Sequence, residues 1–72
     1  MSRTEFLEHL QEIFQTDEKL SFEMRLDEIQ EWDSLSKMTT LAFLDREFSV
    51  TMAISEISNF QTIEDIAKKC GL

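Results

Sequence analysis

The sequence predicts an all-α fold, a small four-helix bundle with three main helices, one short helix and a long first loop. Two observations predict it. Apolar residues recur at helical spacing through most of the chain, and the segments that show this spacing open on capping residues. The chain also has no proline, no internal repeat and no flexible linker between these segments. Its 72 residues fit one compact unit, and residues 1–72 are expected to form a single domain with no room for a deep catalytic cleft. Cys70 is the only cysteine and His9 the only histidine. Neither a disulfide framework nor a zinc-type cluster can form within one chain, so stability has to come from helix packing.

The first helix opens on Ser2-Arg3-Thr4-Glu5, a capping-box pattern in which serine and glutamate satisfy each other's backbone amides. Phe6, Leu7, Leu10, Ile13 and Phe14 follow at helical spacing, and the helix should end near Gln15. His9, set among Glu5, Glu8 and Glu12, reads as a surface residue. From Thr16 to Asp33 the period changes: Leu20, Phe22, Met24 and Leu26 alternate with polar residues, as in a strand. A strand needs a partner, and the only other alternating stretch, Phe48 to Met52, is flanked by helical spacing. A long ordered loop, with Ile29 and Trp32 as its last anchors, is the preferred reading, and a two-stranded ribbon is the alternative.

Asp33 and Ser34 are both good helix starters, and Leu35, Met38, Leu41, Ala42, Phe43, Leu44 and Phe48 give the second helix a broad apolar surface. Met24, Met38 and Met52 are adaptable side chains that read first as core filling and second as the lining of a cavity. The segment Ile54 to Phe60 is long enough for a turn or two of helix, useful as a lid on the core. The last helix has the fullest punctuation. Thr62-Ile63-Glu64-Asp65 supplies a cap and acid in the first turn, Lys68 and Lys69 lie in the last, and Gly71 follows as a stop. Its inward stripe is Ile63, Ile66, Ala67 and Cys70.

A hydrophobic content of 42%, regularly spaced, argues against a disordered acidic tail, because that much apolar surface can offset chain entropy. The formal charge of −8 repels phosphate backbones and anionic lipid, which makes nucleic acid and membrane surfaces poor candidate partners and basic protein surfaces better ones, with solubility alone as the plainer reading of the same acidity. No apolar run of signal-peptide or membrane-spanning length is present, and a cytoplasmic location is expected. An enzyme is not expected, since a nucleophile needs a positioned base and His9 lies apart from any candidate. Glycine-dependent calcium and phosphate loops are excluded by the position of Gly71.

What remains is a serine just after an acid at a helix start, preceded by a long loop. Trp32-Asp33-Ser34-Leu35 resembles the Asp-Ser-Leu motif of the acyl carrier protein family, in which the serine carries phosphopantetheine through a phosphodiester. The resemblance runs over nearly the whole chain. Leu35, Leu41, Leu44 and Phe48 fall where the family places the apolar face of its second helix. Asp45-Arg46-Glu47-Phe48 resembles its acidic helix end, and Thr62-Ile63-Glu64-Asp65-Ile66 the start of its final helix.

The resemblance implies an acyl-carrier-like bundle in which Ser34 is the attachment site, with Asp33 and Leu35 beside it. It implies a covalent phosphopantetheine delivered from coenzyme A by a phosphopantetheinyl transferase, and acyl-loading and acyl-transferring enzymes with basic docking surfaces as further partners of a monomeric carrier. Asp33 would cap the helix, assist the transferase's magnesium, or do both. Unpaired amides at the helix start favour a phosphate there. The chain also departs from carriers of central fatty-acid synthesis. Glu31-Trp32 stands where a glycine-containing stretch is usual, Ser36 and Thr39 stand at positions often acidic, and Ala53 at one often proline. Its Trp-Asp-Ser-Leu form is more similar to stand-alone carriers of specialised lipid, polyketide or surface-glycan pathways. Alternatives are a peptidyl or aminoacyl carrier, whose usual paired glycines are absent, and a small acidic helical adaptor with no prosthetic group.

Overall fold

The structure, a computed structural model, describes residues 1–72. Four α-helices follow one another: α1 Arg3–Phe14, α2 Ser34–Phe48, α3 Ile54–Ile57 and α4 Ile63–Lys69. A 3-10 turn at Leu26–Glu28 interrupts the first loop. The all-helical architecture, with three main helices and one short one, is the one the spacing predicts.

The helix starts follow from side-chain chemistry. At α1 the Glu5 amide donates to Ser2 Oγ at 3.1 Å and the Ser2 amide donates to Glu5 Oε1 at 2.9 Å, so both halves of the capping box are made. At α4 the Asp65 amide donates to Thr62 Oγ1 at 3.3 Å, while the Gln61 and Thr62 amides donate to Asp65 Oδ2 at 2.9 and 3.1 Å. Two helices end on a left-handed residue that is not glycine, Gln15 at φ 54° and Ser49 at φ 55°. Gly71, at φ 81°, makes the same turn after α4 without steric cost.

One core unites the elements. Phe6, Leu10 and Phe14 of α1 meet Phe43 and Leu44 of α2, Ile57 of α3 and Ile63, Ile66 and Ala67 of α4, with Leu20 and Leu26 entering from the loop. Phe6 is fully buried and has Phe22, Phe43 and Phe48 around it at centroid distances of 6.4, 6.0 and 6.0 Å. Cys70 packs at the edge of this core, and burial raises its thiol pKa.

The loop between α1 and α2 is ordered, as preferred, and its alternation has a physical cause. The Leu26 amide donates to the Gln61 carbonyl at 2.8 Å, the Ile63 amide to Met24 at 3.2 Å and the Glu64 amide to Phe22 at 3.0 Å, with one antiparallel bridge between Arg25 and Thr62. Residues 22–26 therefore pair with the entry to α4, through a turn at Phe22–Glu23 and a single bridge at Arg25, and not with residues 48–52, so the ribbon alternative is absent. Alternate side chains turn inward along that pairing, which puts Leu26 in the core while Arg25 stays outside.

Two side chains lie elsewhere than expected. Met38 is 61% exposed and fills no core space, because the inward arc of α2 is taken by Ser36, Thr40, Phe43 and Leu44. His9 is half-buried, its ring stacked on Phe43 at 5.2 Å, because α1 and α2 pack closely enough to cover that side of α1.

Candidate functional site

The approach to α2 is fixed by its last loop residues. Trp32 sets its ring edge-on to Phe14 at 5.6 Å, and the Trp32 amide donates to the Ile29 carbonyl at 3.0 Å. The backbone then turns into extended geometry at Asp33, the N-cap of α2. The Ser36 amide donates to Asp33 Oδ1 at 2.9 Å, and the Asp33 amide donates to Ser36 Oγ at 2.9 Å. This reciprocal pair is a capping box built from aspartate and serine. The amide of Ser36 is the main cause that holds the Asp33 carboxyl below the usual carboxylate range.

Ser34 is the first residue of α2 and is exposed. Leu35 next to it is 75% exposed, and Met38 one turn on leaves a second large apolar side chain in solvent. Asp33, Ser34 and Leu35 thus stand together at one end of the bundle. Asp45 and Glu47 are exposed at the opposite end of α2, with Arg46 between them bonded to Glu47 through Nε at 3.2 Å. The first two turns of α2 carry Lys37 and no acid after Asp33, so the surface around Ser34 is apolar and polar but not strongly charged.

Chemically this is a hydroxyl with free approach and no base. The residues fit a phosphodiester on Ser34: the oxygen is accessible and the first-turn amides provide a positive end. Asp33 already accepts from that same turn, so it shares the field that a phosphate would use.

Ser36 is a positioning residue that sequence reasoning missed. It stands three residues after an N-cap aspartate, which is capping-box spacing, but it reads first as the loss of an acid. It is 6% exposed, and its hydroxyl also donates to the Asp33 carbonyl at 3.1 Å. The breadth of the apolar set on α2 also carried a signal, since one buried stripe has no room for all of it and Leu35 and Met38 turn outward.

Comparison with known proteins adds one finding. No protein-family model and no curated protein sequence matches the chain. The solved structure of a candidate acyl carrier protein from Mycobacterium tuberculosis superposes on it with a TM-score of 0.77 at 21% identity, covering 97% of this chain and 96% of that one. The fold is acyl-carrier-like. At this identity the likeness concerns the backbone, and within that acyl-carrier-like bundle it is the start of α2 that presents Ser34.

Proposed function

We propose that the protein is a carrier whose Ser34 holds a phosphopantetheine arm, and that residues 1–72 act as one carrier unit. The observation that carries this reading is the exposed Ser34 hydroxyl at the first turn of α2, between the capping Asp33 and the outward Leu35, in a bundle of acyl-carrier-like fold. A phosphopantetheinyl transferase would deliver the arm from coenzyme A in the cytoplasm. When bound, the arm supplies a distal thiol that holds an acyl cargo as a thioester. The chain's own part is to present Ser34 on a rigid helix start, fixed by the Asp33–Ser36 box and by Trp32 on Phe14. Leu35 and Met38 offer partner enzymes an apolar contact close to the attachment point, and Asp45 and Glu47 an acidic one further along for basic surfaces. Exposed charge pairs add little affinity, whereas a large apolar side chain inserted in a pocket adds more.

Intact mass after incubation with a broad-specificity phosphopantetheinyl transferase and coenzyme A tests the reading. Wild type is expected to gain one phosphopantetheinyl group and Ser34→Ala none. An unmodified wild type would leave the adaptor reading, and modification that survives in Ser34→Ala would move the site.

A further inference from the structure

A groove runs between α1 and α2 and begins at the residues that flank Ser34. Its volume is about 810 Å³, within the range of small-molecule sites. Asp33, Leu35 and Ser36 form its near end, and Thr39, Ala42 and Arg46 continue the α2 wall. Leu35, Thr39, Ala42 and Arg46 recur at spacings of four, three and four residues, so they form one strip along the helix. From Ser34 to Arg46 that strip runs about 18 Å at the α-helical rise. Phe43, with the His9 ring stacked on it at 5.2 Å, lines the middle, and Ile13 and Gln15 face it from α1 and its C-cap.

We propose that this groove receives the phosphopantetheine arm, which folds back from Ser34 along the α1-facing side of α2. The proposal rests on the carrier reading above. Three features select this occupant. First, the groove is continuous with the attachment residue. Second, its lining mixes apolar surface from Leu35, Ile13, Ala42 and Phe43 with the neutral polar groups of Gln15 and Thr39, which suits a neutral chain of methylenes and amides. Third, Glu12, Glu31 and Asp33 line it against one arginine, Arg46 at the far end, a negative balance that disfavours a free anionic ligand. A groove this open would hold a free ligand weakly. A tethered one is present at an effective concentration on the order of millimolar, so weak contacts suffice to fill it.

The consequence is that α1, far from Ser34 in sequence, senses loading. The experiment compares apo and loaded protein by NMR, with carbon-13 in the arm delivered from labelled coenzyme A and loading verified by mass. Expected are amide shift changes at His9 and Ile13 and nuclear Overhauser contacts from arm methylenes to the Phe43 ring. In loaded Ala42→Trp, where the new ring fills the groove, those contacts should disappear. Full loading with contacts to Leu41 and Ile54 on the other side of α2, or with shift changes only around Ser34, overturns the groove and leaves the carrier reading standing. Contacts that persist in loaded Ala42→Trp overturn it as well. If the variant does not fold, the wild-type contacts decide. Absence of any mass gain overturns the carrier reading and the groove with it.

Discussion

At the scale of single residues, α2 contains two buried hydroxyls with opposite fates. Ser36 Oγ both accepts from and donates to Asp33, so its burial is compensated. Thr40 is fully buried and its Oγ1 has no partner. A hydroxyl buried without a hydrogen bond costs about 1–3 kcal/mol, and a methyl group in its place has the same shape without the desolvation. Valine and threonine have similar helix propensities, so the backbone term nearly cancels. Thr40→Val is therefore expected to raise unfolding stability by about 1 kcal/mol in urea titration at an unchanged m-value. A variant as stable as wild type or less so would mean that the hydroxyl finds a partner in solution. The sequence pattern gave no sign of this orphan, because helical spacing marks Thr40 only as a polar residue on a mostly apolar helix, and its burial depends on where α2 rolls.

At the scale of elements, what the sequence revealed depended on how local the cause was. Caps are local: Ser2 with Glu5 and Thr62 with Asp65 act within one turn, and both were legible from spacing alone. The loop before α2 was legible as ordered, but its partner was not, because Phe22, Met24 and Leu26 pair with Glu64, Ile63 and Gln61, 35 to 42 positions away. The position of Ser34 at a helix start was legible for the first reason, whereas the groove beside it needs α1 and α2 together. Helix ends show a further local rule. Ser49 closes α2 in the left-handed region at φ 55°, where its Cβ costs about 1–2 kcal/mol relative to glycine. Glycine in turn gives the unfolded chain more freedom, which returns about 0.4–1 kcal/mol of that. Ser49→Gly should thus stabilise the protein by about 0.5–1 kcal/mol, read as a higher midpoint in thermal melts followed by circular dichroism. A lower midpoint would show that the exposed serine contributes something its backbone strain conceals.

At the scale of the whole molecule, the carboxylates that start the helices also set the response to acid. The Ser2 amide lowers the Glu5 pKa, the Ser36 amide that of Asp33, and the Gln61 and Thr62 amides that of Asp65. Glu64 is lowered by Arg3, whose guanidinium also donates to the Leu72 carbonyl and so ties the start of α1 to α4 and the chain end. Each group has a folded pKa below its ordinary value of 4.5 for glutamate or 3.8 for aspartate. As pH falls the unfolded chain therefore binds these protons first, and its share of the population grows. The stabilisation they provide is complete above about pH 5 and is lost as pH falls through the lowered folded values. Because α1, α2 and α4 each hold one of these groups in their capping box and share one core, they should release together in a single transition. Urea unfolding from pH 7 to pH 2.5 is expected to show a plateau down to about pH 5, then a steady decline with coincident ellipticity and Trp32 fluorescence. A decline that begins well above pH 5 would show that groups other than these carboxylates set the response to acid. Replacement of Asp33 by asparagine, which can still cap but cannot titrate, should flatten part of the acid limb while leaving the neutral plateau nearly in place.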